Sequence, residues 1–266
     1  MKLTMLGTGN ASAFDCYNTC FLLTDENEHF LVDGGGGNGI FHQLRQENIE
    51  WIDIHNIFVT HKHMDHIFGV LWMIRMFAQA MQSNKYDDDL RIYSHREVIN
   101  ILRNACKAFL TPKQAKVIDD RIHLITVHDG DRFNIMHHEV QFFDIHSEKD
   151  RQFGFVFEID ENRKIACCGD EPFNERNKRY IENSDWLLHE AFCLDSQKEK
   201  FKPYEKHHST VKDACENAEK LKAVNLILYH TEETNLKERK KLYSEEGKKY
   251  YHGNLYVPDD LEVIEM

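Results

Sequence analysis

The chain has 266 residues, 41% hydrophobic and 29% charged, which suits one globular domain over residues 1–266 with a proper core. A formal net charge of −12 excludes a broad basic face for non-specific nucleic-acid binding, though not an anionic substrate drawn to a bound cation. Seven cysteines without a C-x-x-C pair, no signal-peptide core in MKLTMLGTG and no apolar run near the roughly 18 residues of a membrane span predict a cytoplasmic protein with reduced thiols and no membrane partner.

The opening segment KLTMLG predicts a strand, followed by a loop with Gly7, Gly9 and Asn10 and by further strands at NTCFLLT and HFLVD. Four glycines at 34–37 fit neither common glycine-rich nucleotide-binding pattern, and predict a structural turn beside a site. GIFHQLRQENI then predicts a helix and IHNIFVT a short buried strand. The run IFGVLWMIRMFAQAM has helical spacing but is apolar on nearly every side, as a core helix or a subunit interface would be. LRIYS and REVINILRNACKAFL form another strand–helix pair. From RIHLITV to RKIACCGD the chain reads as strands with polar turns, and later come DWLLHEAF, a helix at VKDACENAEKLKA, a strand at NLILYH and a last strand at LEVIEM. So many consecutive strands without a connecting helix predict two packed sheets covered by helices, rather than one doubly wound sheet.

Between the strand IHNIFVT and the apolar helix lie His61, His63, Asp65 and His66. In extended chain, residues two apart share a side, so His61 and His63 can converge, and Asp65 and His66 swing to an adjacent position as the helix begins. Three more donors end apolar runs: His146 after VQFFDI, Asp170 after KIACCG and His230 after NLILY. With 17 histidines in the chain any single one is ordinary, but the ordered set is not. Imidazole and carboxylate without thiolate suit zinc, iron or manganese rather than a cysteine-rich structural zinc.

This order, H-x-H-x-D-H followed by His, Asp and His, resembles the metallo-β-lactamase superfamily, as do LGTGNASA and LVDGGGG. The resemblance covers nearly the whole chain and implies an α/β fold, the four-layer αββα sandwich, with two divalent metal ions, zinc foremost. One ion would take His61, His63 and His146; the other Asp65, His66 and His230, with Asp170 bridging. A metal-bridging hydroxide would then attack the substrate, and Asp65 would also accept a proton from the water.

LLHEAF resembles the H-E-A-T motif of ribonuclease Z, with Phe192 in place of threonine, and HHST resembles the H-S-T motif of the same enzymes. Carried over, His208 serves the leaving oxygen and Glu190 orients it. The resemblance implies a dinuclear phosphodiesterase of ribonuclease Z type and a homodimer built near the apolar helix. One departure stands out. Residues 147–169 hold only a strand–turn–strand, without room for the long arm with which short bacterial ribonuclease Z grips transfer RNA. The lysines of KEKFKPYEKHH and of KERKKLYSEEGKKYYHG, with Tyr243, Tyr250 and Tyr251, are candidate RNA contacts; a solvated helix face is the alternative. Other substrates on this fold remain open, among them a cyclic nucleotide, a lactone, a thioester or a sulfate ester. A diiron redox protein would call for Glu at position 63, and a metal-binding interaction module would have lost ligands.

Overall fold

The computed structural model describes all of residues 1–266. The chain divides into two compact units, each built on a seven-stranded mixed sheet. The first comprises Met1–Gly7, Tyr17–Val127 and Leu261–Met266. In chain order it holds β1 (Lys2–Gly7), β2 (Cys20–Asp25), β3 (Glu28–Val32), α1 (Ile40–Gln46), β4 (Asn56–Phe58), α2 (Met64–Gln82), β5 (Leu90–Ser94), α3 (Arg96–Phe109), α4 (Pro112–Ala115) and β6 (Ile122–Thr126), and it closes with the last strand of the chain.

The second unit comprises Thr8–Cys16 and His128–Asp260. It holds β7 (Arg132–Ile135), β8 (His138–Asp144), β9 (Phe153–Glu158), β10 (Lys164–Cys167), α5 (Lys178–Ile181), β11 (Trp186–Glu190), α6 (Lys198–Phe201), α7 (Val211–Lys220), β12 (Asn225–Tyr229), α8 (Arg239–Gly247) and β13 (Asn254–Tyr256). The last strand, β14 (Glu262–Glu265), pairs antiparallel with β1 of the first sheet.

The first sheet has the order β14-β1-β2-β3-β4-β5-β6 and runs parallel from β3 to β6. Its helix-side core joins Leu22, Leu31, Ile57 and Ile92 to Ile67, Val70, Ile74 and Phe77 of α2 and to Val98, Ile99 and Leu102 of α3. Alternate residues of the same strands, Phe21, Phe30 and Phe58 among them, are buried too, so both faces of these strands are removed from water. The second sheet has the order β13-β12-β11-β10-β9-β8-β7, parallel from β10 to β13 and antiparallel from β7 to β10. Strand direction gives this sheet a functional edge. β8, β10, β11 and β12 all point the same way, so residues at their carboxyl ends share one rim of the sheet, where open α/β sheets bind their ligands.

The predicted strands and long helices are present. β13 had no counterpart in the sequence pattern, nor did the one-turn helices α4, α5 and α6, while α8 falls where a solvated helix face was the alternative reading. β9 and β10 form a plain antiparallel hairpin, its turn closed by Ile159 N–H donating to the Arg163 carbonyl at 2.8 Å. No helix is long and apolar enough to cross a membrane.

Candidate metal centre and proton donor

In the first unit the candidate ligands lie just beyond β4. His61 and His63 occupy the loop after Phe58, not the strand itself, and His63 is the N-cap of α2. Their ring atoms nevertheless meet, with His61 Nε2 and His63 Nδ1 2.8 Å apart. Asp65 and His66 fall in the first turn of α2, both buried, with His66 Nε2 3.3 Å from Asp65 Oδ2. The rings of His61 and His66 have centroids 4.1 Å apart. Four potential donors thus crowd one spot.

What orients them is Asp33, at the carboxyl end of β3, a residue to which sequence reasoning assigned no role. Its carboxylate lies 2.7 Å from His66 Nδ1 and accepts from the Thr60 N–H and hydroxyl, each at 2.8 Å. The Thr60 hydroxyl also lies 2.9 Å from His61 Nδ1. Both imidazoles therefore engage a polar partner through Nδ1 and turn Nε2 toward their fellow donors. A carboxylate behind a histidine is the usual support of a metal-binding imidazole, and it fixes the ring and raises its basicity. The donor set and its backing fit a divalent ion. An acid ending a buried strand was the available signal, the same that marked Asp170.

The glycine run serves this arrangement. Gly34 N–H donates to the His66 carbonyl, and Gly69 N–H to the Gly35 carbonyl, each at 2.9 Å. A Cβ on Gly69 would lie 1.8 Å from the Gly34 oxygen. Only bare backbone lets α2 come this close, so these glycines set the position of the turn that carries Asp65 and His66.

In the second unit the rim holds His146 after β8, Asp170 after β10, Glu190 at the end of β11 and His230 directly after β12. His146 and His230 adopt left-handed backbone, with φ of 59° and 58°. His230 Nε2 stands 3.4 Å from Asp170 Oδ2. Ligand atoms of Glu190, His208 and His230 all lie within 4.8 Å of one another. Beside Asp170, Glu171 is buried, which raises its pKa, and accepts from Ser147, the residue after His146, at 2.7 Å.

His208 belongs to the loop before α7. Its Nδ1 donates to the Asp170 carbonyl at 2.9 Å and lies 3.6 Å from Glu190 Oε2. A carbonyl can only accept, so the proton sits on Nδ1, and Nε2 is the nitrogen left for a ligand or leaving group. Glu190 orients this residue partly through the backbone, since its Oε1 accepts a short hydrogen bond from the Ser209 N–H. Phe192 stacks on the ring at 5.1 Å and 17°. Burial disfavours the imidazolium, but the Glu190 contact and the Glu190 and Asp170 charges outweigh it and hold His208 above its ordinary pKa. Thr210, the last letter of H-S-T, is the N-cap of α7: its hydroxyl accepts from Asp213 N–H, and Asp213 reciprocates. Such a capping box contributes about 1 kcal/mol and fixes the loop that presents His208.

Of the three tyrosines read as a stacking platform from the basic segments, only Tyr250 keeps part of its surface exposed. Tyr243 and Tyr251 are buried, donating to the Phe192 carbonyl at 3.2 Å and the Ala223 carbonyl at 2.8 Å. A ring packed on both faces cannot stack on a base.

A family described as "Anti-Pycsar protein Apyc1" matches residues 1–248. The chain belongs to this family. Among curated relatives of this Apyc1 family member, the ribonuclease Z of Staphylococcus carnosus (strain TM300) is 24% identical over 315 aligned residues, covering 100% of each chain. Among solved structures, the metallo-beta-lactamase fold protein YhfI from Bacillus subtilis superposes with a TM-score of 0.77 at 17% identity, covering 99% of each chain. The short form of human tRNase Z gives a TM-score of 0.77 at 22% identity, covering 100% of this chain and 99% of that one. The fold is therefore the α/β sandwich of the metallo-β-lactamase superfamily. The family member described here is a metal-dependent hydrolase, similar over its whole length to ribonuclease Z.

Proposed function

We propose that this chain is a dinuclear phosphodiesterase acting on small diesters, cyclic nucleotides among them, in preference to structured RNA. In this reading His61, His63 and His146 hold one divalent ion, Asp65, His66 and His230 hold the other, and Asp170 serves both. The observation that carries it is the shared strand-end rim of the second sheet. It collects His146, Asp170, Glu190 and His230, with His208 turning Nε2 out beside them. Zinc suits imidazole–carboxylate donors without thiolate. When bound, such ions supply Lewis acidity and a nucleophile at neutral pH.

The chain's own residues do the rest. Asp65, buried and beside His66, takes the proton of the attacking water. His208 gives a proton from Nε2 to the departing oxygen, with Nδ1 anchored on the Asp170 carbonyl. Preference for small substrates stems from what flanks the centre. The chain between His146 and Asp170 is one hairpin. With Tyr243 and Tyr251 buried and a net charge of −12, few groups remain to track a polynucleotide backbone.

The experiment is zinc content of protein purified without chelator, measured beside hydrolysis of a nitrophenyl phosphodiester, a cyclic nucleotide, a lactone and a precursor tRNA. Two equivalents and turnover of the small diesters are expected, with poor discrimination between tRNA and unstructured RNA. Accurate cleavage at the tRNA 3′ end, or faster turnover of the lactone, would replace this reading.

A homodimer belongs to the same proposal. Phe68 and Trp72 on α2, 40% and 41% exposed, flank Phe109 of α3, which is 80% exposed, around a groove floored by Leu71, Cys106 and Leu110. Apolar surface of this kind favours a partner. Light scattering at micromolar concentration should give twice the chain mass, and Trp72→Glu should halve it; monomeric wild type removes the idea.

A further inference from the structure

The opening motif and one buried arginine take no part in binding metal, yet they converge on the residue next to a ligand. His230 has φ of 58°, a conformation that a side-chain-bearing residue keeps only when its neighbours hold it. Thr231, the next residue, is 1% exposed and held at every polar atom. Its N–H donates to the Thr8 carbonyl at 2.9 Å, and its own carbonyl accepts from Asn10 N–H at 3.1 Å and Asn10 Nδ2 at 3.0 Å. Its hydroxyl accepts from Arg239 Nη1 at 2.8 Å.

Arg239 is itself 1% exposed. The same Nη1 donates to the Thr8 hydroxyl at 2.9 Å, and that hydroxyl donates its proton to Asp260 Oδ1 at 2.6 Å. Nη2 donates to the Pro258 carbonyl at 2.9 Å and to Asp259 Oδ1 at 3.1 Å. One guanidinium thus ties together the LGTGN loop, the turn after β12 and the segment before β14. A cation withdrawn from water is costly unless its donors are matched. Packing alone would be served by an apolar side chain of similar volume. Here the donors fall on Thr231 and on Thr8, whose carbonyl also holds Thr231.

We propose that Arg239 is a positioning residue for the hydrolase: acting through Thr231, it holds His230 in its left-handed conformation with the ring set toward Asp170. This rests on the reading of His230 as a metal ligand. It gives work to two stretches that the catalytic scheme leaves aside, the LGTGN motif and the first residue of α8.

The test uses the full chain loaded with zinc, comparing wild type with Thr231→Val, Thr231→Ser and Arg239→Met. Zinc equivalents, the rate of zinc loss to a competing chelator and the melting temperature of the metal-free protein are recorded for each. Loss of outer support of this kind weakens metal binding about 10- to 100-fold. Thr231→Val is therefore expected to release its second equivalent at least about tenfold faster than wild type, with the metal-free melting temperature little changed. Thr231→Ser, which restores the hydroxyl, should return release to the wild-type rate, and Arg239→Met should match or exceed the valine variant. If Arg239→Met does not fold, the valine–serine pair decides. Wild-type zinc retention in Thr231→Val overturns the clamp alone, as does a fall in melting temperature with unchanged release. A wild-type chain holding fewer than two equivalents overturns the dinuclear reading, and the clamp with it.

Discussion

Asp170→Ala is expected to remove most metal from both positions and to lower phosphodiester hydrolysis by about three orders of magnitude or more. Asp170 is 4% exposed, and its Oδ2 lies 3.4 Å from His230 Nε2. Its carbonyl, which accepts from His208 Nδ1, belongs to the backbone and survives the substitution. The variant therefore deletes the carboxylate while leaving the proton donor oriented, so the loss reports metal binding and not a displaced imidazole. His230→Ala should behave differently, retaining close to one equivalent. Elemental analysis beside a chromogenic diester assay checks both. Slight and equal losses in the two variants would mean that the ligands are assigned wrongly.

His208→Ala should slow diesters with alkoxide leaving groups by about 10²- to 10⁴-fold and nitrophenolate diesters far less. An alkoxide is too basic to leave without a proton, whereas nitrophenolate departs as the anion. The geometry supports this split, because Nδ1 is committed to the Asp170 carbonyl and Phe192 fixes the plane of the ring. Burial works against a protonated imidazole, yet the Glu190 contact and the Glu190 and Asp170 charges prevail and raise its pKa. Both substrates are to be measured at saturation in wild type and variant, with metal content as a control. Equal slowing would show that His208 positions the substrate and moves no proton.

Much of this centre is legible in the sequence because its signals are local. An apolar run ending in His or Asp marks a strand that delivers a donor to a rim, and H-x-H-x-D-H announces the turn into α2 by spacing alone. Asp33 was harder to read, since its role depends on β3 lying beside β4, a pairing that no short window contains. Arg239 and Thr231 were hidden for the same reason, with 231 residues separating Arg239 from Thr8. The buried side of α8 was hidden because it includes Arg239 and Glu246 as well as Tyr243, so burial does not track hydrophobicity there. Glu246 is buried to accept from the Asp195 and Ser196 N–H groups at 2.7 and 3.2 Å, which caps a turn far away in sequence. Lysines around these residues made the whole segment look solvated.

The left-handed backbone at His146 and His230 bears on how such a chain would decay. Holding a residue with a Cβ in that region costs roughly 1–2 kcal/mol, and glycine occupies it freely. A descendant released from selection for hydrolysis would gain thermal stability by drifting to glycine at either position. Histidine at both, as the proposed ligand roles require, therefore runs against the folding preference of the backbone. Inactive descendants of this lineage should be recognisable by glycine or asparagine at the equivalents of 146 and 230, before the rest of the rim has changed.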